Sequence, residues 1–163
     1  KLLQNKMNPA APDKGELRFG NSVLRVGDKV MQMRNNYEKD VFNGDLGLIK
    51  QINGRLLTVY FPDRQEGSNV TYEANELDDL SLAYAMSVHK SQGSEYATVI
   101  LPLVTSHFIL LQRNLFYTGV TRAKQKVILV GSKKALIMAV ENDKTRKRYS
   151  LLAERLQDTV GFM

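Results

Sequence analysis

Two short stretches concentrate the residue types that handle phosphates. The first is HKSQGSE, His89 to Glu95, where an imidazole, an ammonium, two hydroxyls, an amide and a carboxylate surround one glycine. The second is RNLFYTGVTRAK, Arg113 to Lys124, in which Tyr117, Val120 and Thr121 share a helix face at i, i+3 and i+4. Arg122 closes that helix with Lys124 beside it. A guanidinium delivered there can grip a phosphate through two parallel N–H groups and keeps its charge at any working pH. Each stretch also has an ordinary reading: HKSQGSE as a solvated connection, and Arg122 as a helix-terminal cation favoured by the macrodipole.

The elements around these stretches decide where such groups would point. Leu82 to Val88 and Val99 to Leu103 read as buried strands, Phe108 to Ala123 as a helix, Lys126 to Val130 as a strand, and Lys133 to Val140 as a second helix. Ser132 is the expected N-cap of that last helix, and Gly131 has no further role. Strand, helix and strand in this order predict a right-handed crossover and a parallel sheet. Ligands of such sheets sit outside the carboxyl ends of the strands, and HKSQGSE follows directly on one.

Upstream the signals differ. Lys1 to Arg25 is a short helical start broken by NPAAPDKG, whose two prolines and glycine argue for an irregular connection. From Val26 to about Leu80 the pattern is strand and turn, with Asn43-Gly44 and Asn53-Gly54 as type I′ hairpin signals. Ile49 to Ile52 and Leu56 to Phe61 flank the second as pairing strands. Several short strands in this space predict a small all-β barrel of the Src-homology-3 type. The fold class is therefore α/β, a partial parallel sheet with a small barrel inserted.

Composition narrows the function classes. A chain of 163 residues, 43% hydrophobic and 25% charged, is that of a globular protein of one domain with room for a small insert. With no cysteine, neither a disulfide framework nor a thiolate metal site can be built, and two histidines alone do not make a zinc site. No apolar run approaches the roughly 20 residues that span a bilayer, so the expectation is a cytoplasmic protein without membrane partners. The chain opens at Lys1 in mid-pattern, which reads as an excised piece of something longer. Its net charge of +6 is concentrated: Arg113 to Arg155 holds eleven basic residues against three acids. A basic third on a near-neutral body suits a polyanion, because phosphate contacts release counterions. Lys144 to Arg148, KTRKR, reads equally well as a solvated turn.

Taken together, AMSVHKSQGSEY resembles motif V of the superfamily 1 helicases and LFYTGVTRAK resembles motif VI. VFNGDLG and the barrel between point to the RecD-like branch, with RecD and the TraA-type relaxase-helicases. The resemblance implies a division into residues 1–25, the leading segment of a second RecA-like domain, 26–80, the inserted barrel, and 81–163, the remainder carrying motifs V and VI. It also implies roles. Arg122 matches the arginine that reaches the γ-phosphate of ATP held by the preceding RecA-like domain. Gly93 lets the backbone approach the nucleotide, Glu95 matches the acidic position near its ribose, and His89, Lys90 and Ser91 match the face toward single-stranded DNA. ATP and Mg²⁺ are the implied cofactors of the longer parent. Single-stranded DNA, the upstream RecA-like domain and the subunits of a nuclease complex are the implied partners. Repair and recombination are the implied setting, with 5′-to-3′ movement.

One absence shapes the expectation. The chain has no G-x-x-x-x-G-K-[ST] phosphate cradle; the nearest stretch, GELRFGNS from Gly15 to Ser22, puts Asn21 where the lysine belongs. The chain thus reads as the half of a helicase motor that carries the arginine finger. Two other classes compete. A non-enzymatic nucleic-acid-binding module built on the barrel accounts for the basic surplus but not for Gly93, Glu95 and Arg122 in helicase order. A free-standing phosphate enzyme lacks a base or metal set: His107 reads as packed or capping, and Asp78-Asp79 as a solvated turn.

Overall fold

The structure, a computed structural model, describes residues 1–64 and 68–143. It divides into two compact units that part between Gln92 and Gly93, inside the HKSQGSE stretch. Of the eleven basic residues between Arg113 and Arg155, the KTRKR cluster and Arg155 lie outside the described residues.

In the first unit, helix α1 (Leu2–Met7) precedes seven short strands: β1 (Glu16–Phe19), β2 (Ser22–Arg25), β3 (Lys29–Gln32), β4 (Leu46–Asn53), β5 (Leu56–Phe61), β6 (Ser68–Tyr72) and β7 (Leu80–Leu82). The last five form an antiparallel sheet in the order β6-β5-β4-β3-β7, and β1 and β2 form a separate hairpin. Period-two alternation explains the core. Leu57, Val59 and Phe61 of β5 point inward beside Ile49 of β4, Val30 of β3, and Val70 and Tyr72 of β6. Gly47 sits under Val59, where a Cβ would come within 2.3 Å of that side chain.

The expected β4–β5 pairing is present, Asn53 facing Leu56, but its turn is not type I′. Gly54 has φ +60 as the first of two loop residues and Arg55 is not left-handed, which is the type II′ pattern. Nor is Asn43-Gly44 a two-residue hairpin. Asp45 N–H donates to the Phe42 carbonyl at 3.0 Å and only Gly44 is left-handed, a type II turn in the longer β3–β4 connection. The β1–β2 hairpin was not expected from sequence; its signal is Gly20-Asn21 between Phe19 and Ser22, a Gly-X turn.

The strand expected over Leu82 to Val88 is corrected to Leu80–Leu82, antiparallel to β3 and therefore part of this sheet. After Ala83 N–H bonds the Lys29 carbonyl, the chain leaves the ladder, because Tyr84 is drawn to Asp28. Asp28 is fully buried, and its carboxylate accepts from Gln4 Nε2 (2.6 Å), Asn8 Nδ2 (2.6 Å), Tyr84 OH (2.8 Å) and the Arg25 amide (2.8 Å). A buried charge is tolerable only when its acceptors are filled, and four donors do so here. Leu24, from the leading segment, packs in the same core.

These contacts carry a pH consequence. The Tyr84 phenol is pushed up from 10.0 to about 12, first by burial and then by its hydrogen bond to Asp28 and that carboxylate's charge. Burial, then the charge of Glu76, also raises Tyr72, whose hydroxyl donates to the buried Gln32 amide. Both phenols keep their protons in the fold at pH values where the unfolded chain ionises. The stability that Tyr84 contributes is complete below about pH 10 and is lost as pH rises through about 12, while that of Tyr72 persists to higher pH. Circular dichroism is expected to show alkaline unfolding of the first unit in that window, with a shallower loss for Tyr84→Phe. A wild-type stability that stays flat across the window would mean that Tyr84 is not sequestered.

In the second unit, β8 (Tyr96–Leu103) and β9 (Ala123–Gly131) pair in parallel, joined through helix α2 (Arg113–Val120), and helix α3 (Lys133–Glu141) follows. The predicted parallel pairing is therefore present. Ser132 caps α3 as expected, accepting from the Ala135 amide at 3.2 Å. Helix α2 begins five residues later than expected, since the Leu111 carbonyl accepts from Asn142 Nδ2 and Gln112 is extended. His107 lies in a 3₁₀ turn with its side chain exposed, so it is not packed. Leu103 and Leu111 meet Ala135 and Ala139 in the core of this unit. Gly131 does have a role: a Cβ there would lie 1.8 Å from the Leu103 carbonyl oxygen, so the carboxyl ends of β8 and β9 close only over a glycine.

Candidate nucleotide and nucleic-acid site

The second unit brings parts of the two phosphate-handling stretches together. Tyr96 N–H donates to the Arg122 carbonyl at 2.8 Å, which starts the β8–β9 ladder with Tyr96 opposite Ala123. Between Tyr96 and Thr98 the register slips by one residue on the β9 side, a bulge beside Lys124 and Gln125. The Lys124 ammonium reaches Glu95 at 3.2 Å, and both side chains are largely exposed. Such a pair contributes little to stability and leaves both groups open to a ligand.

Arg122 follows the C-cap Thr121 of α2. Its Nε donates to the Thr118 carbonyl at 3.3 Å, its Nη1 to the Ser94 carbonyl at 3.4 Å, and its Nη2 to Thr121 Oγ1 at 3.5 Å. All three are long, so the guanidinium is aimed by weak contacts with donor capacity to spare. The helix-terminal reading is visible in the Thr118 contact, but Ser94 ties the same group to the other stretch. Gly93 is open: a Cβ there would meet nothing within 4 Å.

His89, Lys90 and Ser91 belong to the first unit, on a 3₁₀ turn (Val88–Ser91) that starts at Ser87 and not at the end of a strand. His89 and Lys90 are exposed, and Lys90 Nζ lies 3.3 Å from Met33 Sδ. Ser91 is only 7% exposed and donates its hydroxyl to the Val88 carbonyl at 2.7 Å, which locks the turn. Sequence reasoning missed the Lys124–Glu95 pair and the Tyr84–Asp28 tie that steers the chain into this turn. The first depends on strand register and the second on a contact 56 residues apart, and neither has a local signal. Among the described residues, no group of three His, Cys, Asp or Glu could hold a metal ion, and no helix is long and apolar enough to cross a membrane.

Comparison with known proteins finds matches for two successive stretches of the chain, the second of which crosses the Gln92–Gly93 boundary. Residues 1–61 match the family model of the ATP-dependent RecD-like DNA helicase SH3 domain, and residues 82–130 that of the UvrD-like helicase C-terminal domain. The ATP-dependent RecD2 DNA helicase of Deinococcus radiodurans is 38% identical over 146 residues, 90% of this chain and 20% of that protein. The RecBCD enzyme subunit RecD of Mycolicibacterium smegmatis is 36% identical over 123 residues, 74% of this chain and 21% of that protein. The chain thus spans about a fifth of the length of these curated relatives. Among solved structures, two Pif1 helicases at forked double-stranded DNA match with TM-score 0.56 at 19% identity, over 98% of this chain and 41% of theirs. A Bacteroides Pif1 in complex with ADP-AlF3 and single-stranded DNA matches with TM-score 0.55 at 20% identity, over 98% of this chain and 43% of its own. At these identities the likeness is one of fold. With an SH3 domain leading into a helicase C-terminal domain, and RecD proteins as its relatives, the chain belongs to the RecD-like DNA helicases as part of their C-terminal region.

Proposed function

We propose that this chain is the C-terminal motor region of an ATP-dependent DNA helicase, active only together with a domain that carries the phosphate cradle. The observation behind this reading is the convergence of Ser94 to Tyr96 with Arg122 to Lys124 beside the start of β8. Arg122 is the arginine finger: it exchanges its long carbonyl contacts for the γ-phosphate of ATP held by the upstream RecA-like domain and stabilises charge as the phosphoryl group transfers. Open space at Gly93 lets the nucleotide approach the backbone, and Glu95 meets the ribose. His89 and Lys90 face the phosphates of single-stranded DNA, while Ser91 holds the turn that presents them.

The exposed apolar residues of the parallel pair favour an upstream partner. Ile100, Ile128, Leu129 and Val130 are exposed on a pair of strands of the kind that is ordinarily covered on both faces. The helices of a complete RecA-like domain would cover them. Mg²⁺ in the parent would be held by the domain with the phosphate cradle, since no metal-holding group of His, Cys, Asp or Glu occurs among the described residues of this chain. By analogy with the RecD relatives, the parent works in recombination or repair, moves 5′-to-3′ and docks in a nuclease complex.

The 163-residue chain alone is expected to show no appreciable DNA-stimulated ATP hydrolysis, and to bind single-stranded DNA weakly. Its affinity should fall steeply with salt, with a log–log slope near −0.7 per phosphate neutralised. Robust hydrolysis by the purified chain would overturn the half-motor reading. Tight binding that persists at high salt would favour an independent binding module.

A further inference from the structure

Beside the turn that carries His89 and Lys90, the first unit has a cavity of about 180 Å³. Met31, Met33, Leu82 and Met86 line it, together with Ser87 and Lys90, whose ammonium reaches the Met33 sulfur. Three thioethers in so small a space make a soft, polarisable lining that adapts to a flat ring. Ser81, Ala83 and Ala85 complete the lining without filling it. No carboxylate is among the lining residues, and Lys90 makes none of the ion pairs found among the described residues. Its ammonium has only the Met33 sulfur, a weak acceptor. The Ser87 side chain makes no capping hydrogen bond to the turn it begins. The lining is therefore mainly apolar, with two hydroxyls, from Ser81 and Ser87, and one cation. Those are the complements of a planar heterocycle with polar edges and an anion one sugar away.

We propose that this cavity receives one nucleobase of the bound single strand while Lys90 holds an adjacent phosphate. The inference rests on the reading of Lys90 as a DNA-facing residue and adds a base-contacting site to it. A cavity of this size is smaller than the roughly 300–1,000 Å³ of ordinary ligand pockets, so it takes a single base and not a stacked pair. Because the lining recognises a ring face, it discriminates a base from no base more than one base from another.

The test compares two strands of equal length on the full 163-residue chain at low salt, one of thymidines and one with an abasic phosphodiester backbone. The thymidine strand is expected to bind roughly five-fold tighter, the lower end of what one stacked base contributes. Ala85→Phe, which fills the cavity, erases that preference, and Lys90→Ala weakens both strands. Should Ala85→Phe fail to fold, a strand carrying a halogenated deoxyuridine reports on the wild-type chain. On irradiation it is expected to cross-link to Met33 or Met86, identified by peptide mass. Equal affinity for the two strands, or cross-links confined elsewhere, overturns the base site while leaving the phosphate contact in place. A folded chain that binds neither strand overturns both readings. Free thymidine monophosphate that displaces the cross-link at concentrations matching the strand's own half-saturation reassigns the cavity to a mononucleotide and overturns its assignment to DNA.

Discussion

In the full-length helicase, Arg122→Ala should lower the rate of ATP hydrolysis by roughly 10³-fold while leaving the fold nearly intact. Trans-acting arginine fingers contribute about 10³ to 10⁵ in kcat, and the lower end is expected if a second cation shares the charge. The small stability cost follows from the geometry. All three hydrogen bonds of the guanidinium are 3.3 Å or longer, two of them to carbonyls that can also bond water, so their loss should cost under about 1 kcal/mol. Arg122→Lys should rescue poorly, because an ammonium cannot offer two parallel donors. Binding of single-stranded DNA without nucleotide should survive. The measurement is steady-state hydrolysis beside a thermal melt and a binding isotherm. A variant that hydrolyses ATP at the parental rate yet loses DNA affinity would move Arg122 out of the nucleotide site.

Gly131→Ala is expected to have the largest effect on stability, about 3 kcal/mol or more, at the upper end of what overpacking costs. The new methyl would lie 1.8 Å from the Leu103 oxygen and 2.7 Å from its carbonyl carbon. These are backbone atoms of the last paired residue of β8, so neither can turn aside as a side chain could. Relief requires the two strands to part at the end where the Ser132 amide also bonds the Leu103 carbonyl. Gly54→Ala is the informative control. It too is left-handed, but a Cβ meets nothing there, so only the conformational cost of about 1 kcal/mol applies. Urea denaturation of the two variants separates the effects, and a Gly131→Ala chain as stable as wild type would exclude the close approach.

The second unit was largely legible in the sequence because its signals are local. Val99 to Leu103 and Lys126 to Val130 are apolar runs of strand length on either side of a helical pattern, and Ser132 precedes α3 at capping distance. Misreadings arose where a long-range contact overrode a local pattern. Leu82 to Val88 is apolar enough for a strand, but the buried Asp28 carboxylate takes Tyr84 out of the ladder. Phe108 to Gln112 continues the helical period, but the Asn142 side chain claims the Leu111 carbonyl. At the candidate site, residue types and order were readable. The meeting of Ser94 with Arg122 was not, since it depends on how β8 and β9 align at a bulge.

The Asp28 cluster also sets how this region can be divided. Two of its four donors, Gln4 and Asn8, come from α1 and the residue that ends it. Trimming the first eight residues would remove both at once and leave a carboxylate at the base of β3 with half its partners, a defect of the kind that costs several kcal/mol. Fragments that start at the first strand would then be insoluble for a reason unrelated to strand pairing, whereas the same truncation combined with Asp28→Asn should recover part of the loss. A homologue able to lose α1 should therefore carry a neutral residue at the position of Asp28, so the two features are inherited or discarded as a pair.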